Sequence, residues 1–349
     1  MPNKQINSSI LNLLAIDEYS STPKYKQIYN SITNAIDEKK LKKGDFLPSI
    51  NDLYFNLDIG RETVEKAYNT LKNDGIIESK QGKGFFIVND NVKSNKRICL
   101  LFNKLSDYKK EIYDAFIKEI GEDAIIDFYI YNNDFAIFKK MLENSKKDYT
   151  HYILIPHFID VYNENEVADV INSLNNKSLI LMDKLLKGVK GDFSAVYEDF
   201  KNDIYDALIK VLKPLSKYRT LKLIFPDDGY YPKEIIEGFR LFCLQYAFDY
   251  RILNNIENDV VEDGDVLISL KEEDLISSLE KTNGLKKKIG KQVGIISYNE
   301  TAIKRILLNG ITTISTDFTK MGSYAAEIIK SNIKVKKRVP FNVYLRNSL

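Results

Sequence analysis

The sequence is poor in the residues that most often build metal sites, disulfides and acid–base catalysts. Its 349 residues include only two cysteines and two histidines. Cys99 and Cys243 have no metal-ligand spacing around them, so we expect two reduced core thiols rather than a disulfide or a zinc site. His151 and His157 flank one short apolar run, and a structural or pocket role suits them better than catalysis. The sequence therefore predicts no metal and no cofactor.

Long apolar runs are also missing, and neither positive nor negative charge is in large excess. No run approaches the ~20 residues that a bilayer-spanning helix needs, and the polar start at residues 1–9 lacks the layout of a signal peptide. We therefore expect a cytoplasmic protein with no membrane partner. The net charge of +2 neither demands nor excludes nucleic acid, so any DNA footprint must be local. The sequence holds no G-x-S-x-G, P-loop or G-x-G-x-x-G at a strand-to-helix junction, which argues against an enzyme.

Three helices are predicted near the start of the chain. Apolar residues at helical spacing predict a helix over 23–40, with Pro23 in its first turn. Ser49 follows an extended residue and a proline, and it is expected to cap a short helix that ends near Leu57. A third helix is expected from Arg61 to Asn73. Gly75, two residues beyond it, is expected to terminate this helix.

A glycine turn between two short β-rich runs follows these helices. The runs 76–79 and 85–88 flank Gln81-Gly82-Lys83-Gly84. Glycine lets the backbone approach a groove closely, and Lys83 can reach a phosphate. Helix, helix and hairpin in this order predict an α+β winged helix-turn-helix domain over residues 1–90 that binds double-stranded DNA.

This part of the chain resembles the GntR family of bacterial transcription regulators. The shared landmarks are Pro-x-Tyr-x-Gln-Ile at 23–28, Leu-Pro-Ser at 47–49, Arg-x-Thr-Val at 61–64 and Gln-Gly-x-Gly at 81–84. The resemblance implies a homodimer on a palindromic operator. It assigns DNA contacts to Ser49, Arg61, Thr63, Gln81, Gly82, Lys83 and Gly84.

Two positions depart from the family pattern. The arginine usual two residues after the capping serine is replaced by Asn51, which can still bond a phosphate or an adenine edge. A common basic position on the recognition helix is Glu65, which would face a base such as cytosine or point away from the DNA. The operator sequence therefore cannot be predicted.

Strands and helices alternate beyond a polar linker at residues 91–95. Apolar runs such as 98–102, 125–131 and 152–156 are each followed by an amphipathic helix, which is typical of βαβ units with a parallel sheet. About 250 residues exceed one such sheet. We therefore predict a two-lobed α/β domain with parallel sheets over residues 96–349, with a ligand cleft between the lobes.

This second domain resembles the sugar-sensing domain of LacI-type regulators, which is similar to periplasmic binding proteins. Landmarks include Val-Tyr-Glu-Asp at 196–199, Glu-Gly-Phe at 237–239, Ser-Tyr-Asn-Glu at 297–300 and Thr-Asp-Phe at 316–318. The resemblance implies three crossings between the lobes, near residues 190–200, 310–316 and 338–345. The family often places an arginine where this chain has Ile235, so its effector chemistry is not inherited.

Polar and aromatic residues after the predicted strands are the candidates for binding an effector. Carboxylates and amides pair with hydroxyl groups, and aromatic rings cover the apolar face of a sugar. The candidates are Phe102, Asn103, Asp107, Tyr131, His157, Asp183, Asp199, Asp228, Asn299 and Asp317. A neutral sugar is expected, because a phosphate would need a basic pocket.

The sequence thus predicts a homodimeric transcription regulator, a repressor controlled by a sugar or related small molecule of carbohydrate metabolism. Two alternatives remain open. The lobes could have lost their ligand and act only as a dimerisation platform, which the replacement at Ile235 suggests. A sugar-handling enzyme with an accessory winged domain is disfavoured, because the sequence offers no catalytic constellation.

Overall fold

The computed structural model describes residues 10–349 except 12, 15, 19, 81, 83, 92–95, 122–123, 145–148, 160–163, 175–177 and 228–230. Three helices and an antiparallel hairpin form an N-terminal winged module. Its elements are α1 Lys24–Asp37, α2 Ile50–Leu57, α3 Arg61–Asn73, β1 Ile77–Lys80 and β2 Gly84–Ile87. Apolar side chains of α1, α3 and the hairpin share one buried core, which includes Ile28, Ile32, Val64 and Ile77.

Capping fixes where the short helix α2 begins. The Ser49 hydroxyl accepts a hydrogen bond from the Asp52 backbone N–H at 3.1 Å, and the Asp52 carboxylate accepts one from the Ser49 N–H at 3.1 Å. This reciprocal pair satisfies two N–H groups that an uncapped helix end leaves open. The helix α1 is shorter than the sequence predicts. It ends at Asp37, and Lys39 turns the chain with a φ of 57°.

The first lobe is built on a six-stranded sheet in which all neighbouring strands run parallel. The strand order is β13-β7-β6-β5-β3-β4, so β4 lies at one edge. Its elements are β3 Arg97–Phe102, α4 Asp107–Ile120, β4 Ile125–Ile130, α5 Phe135–Asn144, β5 His151–Leu154, α6 Glu164–Asn172, β6 Leu179–Asp183 and β7 Ser194–Tyr197, with α12 and β13 from the end of the chain.

The second lobe repeats this design with a six-stranded sheet in the order β14-β12-β11-β10-β8-β9. Only the edge strand β14 runs antiparallel to its neighbour. Its elements are α7 Phe200–Lys210, α8 Leu212–Leu215, β8 Thr220–Ile224, α9 Glu234–Gln245, β9 Asp249–Leu253, β10 Asp265–Ser269, α10 Glu272–Gly284, β11 Gly294–Tyr298, α11 Ala302–Ile306, β12 Thr312–Thr316 and β14 Phe341–Tyr344.

The chain passes between the lobes three times. It leaves the first lobe after β7, returns after β12 into α12 Phe318–Ser331, and leaves again after β13 Lys336–Arg338. The first and third crossings fall in the predicted ranges, and the second falls just after its range. Three crossings of this kind form a hinge about which two lobes can rotate. The predicted fold class is confirmed.

Both faces of each sheet are buried, as parallel sheets require. In β3, Ile98, Leu100 and Phe102 enter one cluster, while Cys99 and Leu101 enter another on the opposite face. Cys99 and Cys243 are both buried thiols and do not form a disulfide with each other. A predicted run such as 98–102 is therefore short and apolar throughout, without the alternation of a strand that has one exposed face.

Candidate functional site

The recognition helix α3 presents a polar face that begins with an ion pair. The Arg61 guanidinium donates a hydrogen bond to the Glu65 carboxylate at 2.8 Å, one helical turn away. The Arg61 side chain is 62% exposed, so it remains free to reach a ligand in solvent. The structure thus shows the partner of Glu65 that the sequence left open.

The other predicted DNA contacts lie around this helix. Ser49 caps α2, Asn51 is exposed in the first turn of α2, and Thr63 is half-buried on α3. Gly82 and Gly84 have φ of 74° and 86°, a conformation in which glycine is favoured and side chains are strained. Gln81 and Lys83 lie outside the described residues. Helix α3 and the glycine turn have the form that a groove-reading helix and a wing require.

A cleft of about 620 Å³ opens between the two lobes. Its lining comes from the carboxyl ends of strands in both sheets and from the crossings, as expected for an open α/β fold. The first lobe contributes Lys104, Asp107, Tyr108, Lys109, His157 and Asp183. The second lobe contributes Tyr231, Ile235, Lys271, Glu272, Tyr298 and Asn299.

A buried charge cluster forms the wall of the cleft on the first lobe. The Lys109 ammonium donates to one oxygen of Asp183, and the His157 Nε2 lies 2.9 Å from the other. Burial acts to raise the pKa of Asp183, but the charges and hydrogen bonds of Lys109 and His157 outweigh it and hold the pKa below its usual value. Asp183 therefore stays ionised, and its φ of 73° shows a backbone fixed in a strained position.

A second carboxyl group joins two of the crossings. The Thr316 hydroxyl, at the end of β12, donates to the Glu198 carboxyl at 2.7 Å. Burial and the charge of Asp183 raise the pKa of Glu198 well above its usual value, which favours its neutral form. A neutral carboxyl group can donate and accept hydrogen bonds. Glu198 is thus suited both to binding a hydroxyl group and to bracing the hinge.

Aromatic rings line the remaining walls. Tyr108 and Phe318 stack with centroids 5.1 Å apart at 28°, and Phe200 and Tyr231 also face the cleft. Among the described residues, the Tyr298 hydroxyl is buried with no hydrogen-bond partner. Flat apolar faces beside an unsatisfied hydroxyl match a ligand that is itself polar at its edges and apolar on its faces.

Four of the predicted effector residues line the cleft: Asp107, His157, Asp183 and Asn299. Five others in the described part of the chain do not line it, and Asp228 lies outside that part. Phe102 is in the sheet core. Asn103 is buried and donates to Asn133, and Tyr131 is buried with its hydroxyl bonded to the His157 carbonyl at 3.0 Å.

Asp199 and Asp317 have a different role at the crossings. Each accepts a backbone N–H in the first turn of the following helix, α7 or α12. They are helix caps, a role that strand-end position alone cannot separate from ligand binding. Lys109 and Glu198 were missed. Lys109 lies in a helix rich in lysine and carries no signal in the sequence, whereas Glu198 was visible only as part of the Val-Tyr-Glu-Asp landmark.

Comparison with known proteins identifies the winged module. Residues 24–87 match the family model described as bacterial regulatory proteins, gntR family. The transcriptional repressor YtrA of Bacillus subtilis is 32% identical over 105 residues, which are 30% of this chain and 77% of the repressor. The chain belongs to the gntR family. It is a DNA-binding transcription regulator, and its relatives are regulators rather than enzymes.

The two-lobed domain matches regulators of the LacI type in fold. The Lac repressor bound to ONPG has a TM-score of 0.62 at 11% identity, and the match covers 83% of this chain and 92% of that one. A LacI family regulator from Enterococcus faecium with bound ribose has a TM-score of 0.56 at 17% identity, covering 72% and 98%. This gntR-family regulator thus joins a winged module to a LacI-like fold. None of its described helices is long and apolar enough to cross a membrane.

Proposed function

We propose that this regulator is a homodimeric repressor whose affinity for a palindromic operator is controlled by a neutral, polyhydroxylated ligand in the interlobe cleft. The proposed division is a DNA-binding domain at residues 1–90, a linker at 91–95 and an effector and dimerisation domain at 96–349. Binding to chromosomal DNA implies the cytoplasm. The observation that carries the proposal is the cleft itself, which combines fixed polar groups with stacked aromatic rings.

The charges of the cleft support a neutral ligand. Its lining includes five carboxyl groups and three lysine side chains: Asp107, Asp183, Glu198, Glu272 and Glu273, with Lys104, Lys109 and Lys271. Lys109 is paired with Asp183, so its charge is already compensated. With Glu198 neutral, three lysines and four carboxylates give the lining a net charge of 3 − 4 = −1, so an anionic sugar phosphate would find no excess of positive charge, whereas hydroxyl groups find acceptors in carboxylates and in Asn299. Neighbours of the same fold are described with ribose and with D-xylulofuranose bound.

Thermal unfolding across a ligand panel tests this assignment. A ligand that binds only the folded lobes raises the melting temperature according to its concentration relative to its dissociation constant. We expect a rise with one or more neutral sugars, and no rise with their phosphates. The rise should be lost in Asn299→Ala, while Asn69→Ala on the exposed face of α3 should keep it. A response to phosphates alone would contradict the charge argument.

Exposed isoleucines support a dimer through the second lobe. Helix α10 and the turn after α11 share a buried cluster that includes Leu275 and Leu279. On α10 and α11, the side chains of Ile276, Ile303 and Ile306 are 52%, 55% and 72% exposed. Apolar side chains gathered on neighbouring elements are typical of a surface that a second copy covers.

A charge placed on this surface tests the dimer. Ile306→Lys should shift the protein from dimer to monomer in sedimentation velocity, and it should weaken operator binding by more than about tenfold, since one module alone makes half the contacts. Leu244→Lys is the matched control, because Leu244 is 70% exposed on α9. An Ile306→Lys protein that stays dimeric would contradict this choice of surface.

Selection of binding sites from random duplexes tests the operator. A dimer of winged modules should select two half-sites of opposite orientation. Selection of a single half-site, or of direct repeats, would contradict the proposed symmetry. The ligand-free platform remains a second candidate, because Ile235 lies in the cleft where related regulators often have arginine, and a flat response across the ligand panel would favour it.

A further inference from the structure

The winged module is attached to the first lobe at two places. Besides the linker, a segment before α1 runs antiparallel to the edge strand β4, and we refer to Asp17, Ser20, Ser21 and Thr22 as the clasp. Ser20 forms a β-bridge with Tyr129. The Ser21 N–H donates to the Phe128 carbonyl at 2.7 Å, and the Phe128 N–H donates to the Thr22 hydroxyl at 2.8 Å. The clasp thereby satisfies backbone groups that an edge strand otherwise exposes.

One side chain of the winged module holds the clasp from the other side. Gln27 lies in α1 and is only 3% exposed. Its carbonyl oxygen accepts from the Asp17 N–H at 2.8 Å, and its amide group donates to the carbonyls of Asp17 at 3.2 Å and Thr22 at 2.8 Å. A buried amide that makes three hydrogen bonds to one segment fixes the position of that segment. The clasp is therefore bonded to the module and to the lobe together.

Side chains extend this junction across the base of the first lobe. The Tyr129 hydroxyl donates to the Asp17 carboxylate at 2.9 Å and lies 3.1 Å from the Tyr149 hydroxyl. Tyr149 in turn donates to Asp127 at 2.9 Å. Burial raises the pKa of Tyr129 and of Tyr149, so both hydroxyl groups keep their protons and remain donors.

The linker side of the junction carries its own ion pair. Arg97, the first residue of β3, lies 3.6 Å from the carboxylate of Glu38 at the end of α1, and its guanidinium lies over the Tyr149 ring. Contacts through the clasp and through Arg97 thus reach both ends of α1. A module that is attached at one point can rotate about that point, whereas a module that is attached at two separated points loses most of this rotational freedom.

We propose that the clasp docks the winged module on the first lobe, so that the module and this lobe move as one body. The polar linker suggests free modules, but the clasp makes the orientation of each module a property of the first lobe. Rotation of the first lobe about the three crossings would then change the separation of the two modules in a dimer rather than their freedom. The docking itself does not depend on the proposed ligand.

Distance measurements between spin labels test the docking in the full chain, without DNA or ligand. Labels at Asn69→Cys on α3 and Lys118→Cys on α4 report the module and the lobe, since both positions are exposed. Both native cysteines are buried, so a spin-label reagent reaches them poorly. Burial also raises the pKa of Cys243 to about 12, so little of its reactive thiolate is present. We expect one narrow distance distribution. The double variant Thr22→Val with Tyr129→Phe should broaden it several-fold, whereas Tyr218→Phe, which removes a buried hydroxyl in the second lobe, should not.

A broad distribution in the otherwise unaltered chain would overturn the docking. A distribution that stays narrow in the double variant would overturn the role of the Thr22 and Tyr129 hydroxyl groups in the docking. Hydrogen exchange gives a second readout if the double variant unfolds: in the unaltered chain the amides of Ser21 and Phe128 should exchange far more slowly than those of exposed loops. Neither readout involves DNA or a sugar. A negative result for the docking is therefore distinct from a negative result for the proposed ligand control.

Discussion

At the scale of single residues, Arg61 on the recognition helix donates a hydrogen bond to Glu65 on the same helix. The bond from Arg61 to Glu65 is exposed, so it adds little to stability. We propose that the pair acts on DNA binding, because a guanidinium already held by Glu65 must orient with it or leave it when a base or phosphate is bound. The sequence predicted a DNA contact for Arg61, but it could not show that Glu65 is the partner of Arg61.

The first prediction separates the two side chains. Arg61→Ala should weaken operator binding by about 1–3 kcal/mol, or roughly 5–150-fold, if it reads a base edge. Glu65→Gln should bind DNA of any sequence more tightly, because a negative charge near phosphates is removed. Titration of labelled duplexes at several salt concentrations measures both. Operator binding unchanged by Arg61→Ala would remove the residue at the centre of the assignment.

A histidine on the first lobe predicts a pH dependence of stability. Burial, with the nearby charges of Lys96 and Lys334, lowers the pKa of His151 to about 4 in the folded protein. Below its ordinary pKa of 6.5 the unfolded chain takes up a proton that the folded chain refuses, so stability falls as the pH falls from about 6.5 towards 4.

The matched variant isolates this contribution. His151→Asn cannot take up the proton, so its apparent melting temperature should fall less than that of the unaltered chain between pH 7 and pH 5. The difference should be modest, about 1–3 °C, since the side chain is partly exposed. Scanning calorimetry at both pH values measures it. Parallel falls in the two proteins would show that His151 is not the group responsible.

At the scale of secondary-structure elements, two glycines permit helices to pack closely across the fold. A Cβ at Gly238 in α9 would lie 2.0 Å from the Lys201 carbonyl oxygen of α7, and one at Gly322 in α12 would lie 2.2 Å from the Ile112 carbonyl oxygen of α4. Gly238 belongs to the Glu-Gly-Phe landmark at 237–239, which the sequence offered only as a resemblance. The structure gives the physical reason for both glycines, which is contact between helix backbones.

The effect of a Gly→Ala substitution on stability should therefore depend on the space around the glycine rather than on helix propensity. Gly238→Ala should destabilise the second lobe by at least about 1–3 kcal/mol, because helices α7 and α9 must separate. Gly284→Ala is the control, since a Cβ there meets nothing within 4 Å. It should be neutral or stabilising by up to about 1 kcal/mol. Chemical unfolding followed by circular dichroism distinguishes them, and equal effects at both positions would contradict the packing argument.

The elements that sequence predicted are those with an apolar signal of their own. Strands such as β3 and β6 carry buried apolar side chains on both faces, and α3 carries a clear helical stripe. Strand β12 was missed because its sequence, Thr-Thr-Ile-Ser-Thr, is buried without being apolar. Strand β9 was missed because it is a partly exposed edge strand. Their place is decided by neighbouring strands, which a single sequence does not reveal.

The cleft was predicted in position but only partly in composition. Residues directly after strands, such as Asp183 and Asn299, were found because the carboxyl ends of parallel strands share one edge. Lys109 was not found, because it approaches from a helix and is buried only by pairing with Asp183. Asp199 and Asp317 were placed there although they cap helices, since both roles use the same residue type at the same place.

At the scale of the whole molecule, a DNA-reading module is joined to a hinged pair of lobes. A ligand that closes the cleft must bind the closed form more tightly than the open one, and a coupling of roughly 1–3 kcal/mol changes DNA affinity about 5–150-fold. The Glu198–Thr316 hydrogen bond connects two crossings, and the proposed clasp connects the winged module to β4. In this proposal, movement of the lobes also moves the winged module.

Ligand control of DNA binding is tested by the operator affinity in the presence and absence of the stabilising sugar. Fluorescence anisotropy of the selected operator should show a change of at least fivefold when a sugar that raises the melting temperature is added, and no change in Asn299→Ala. A sugar that stabilises the lobes but leaves operator affinity unaltered would contradict ligand control of this regulator.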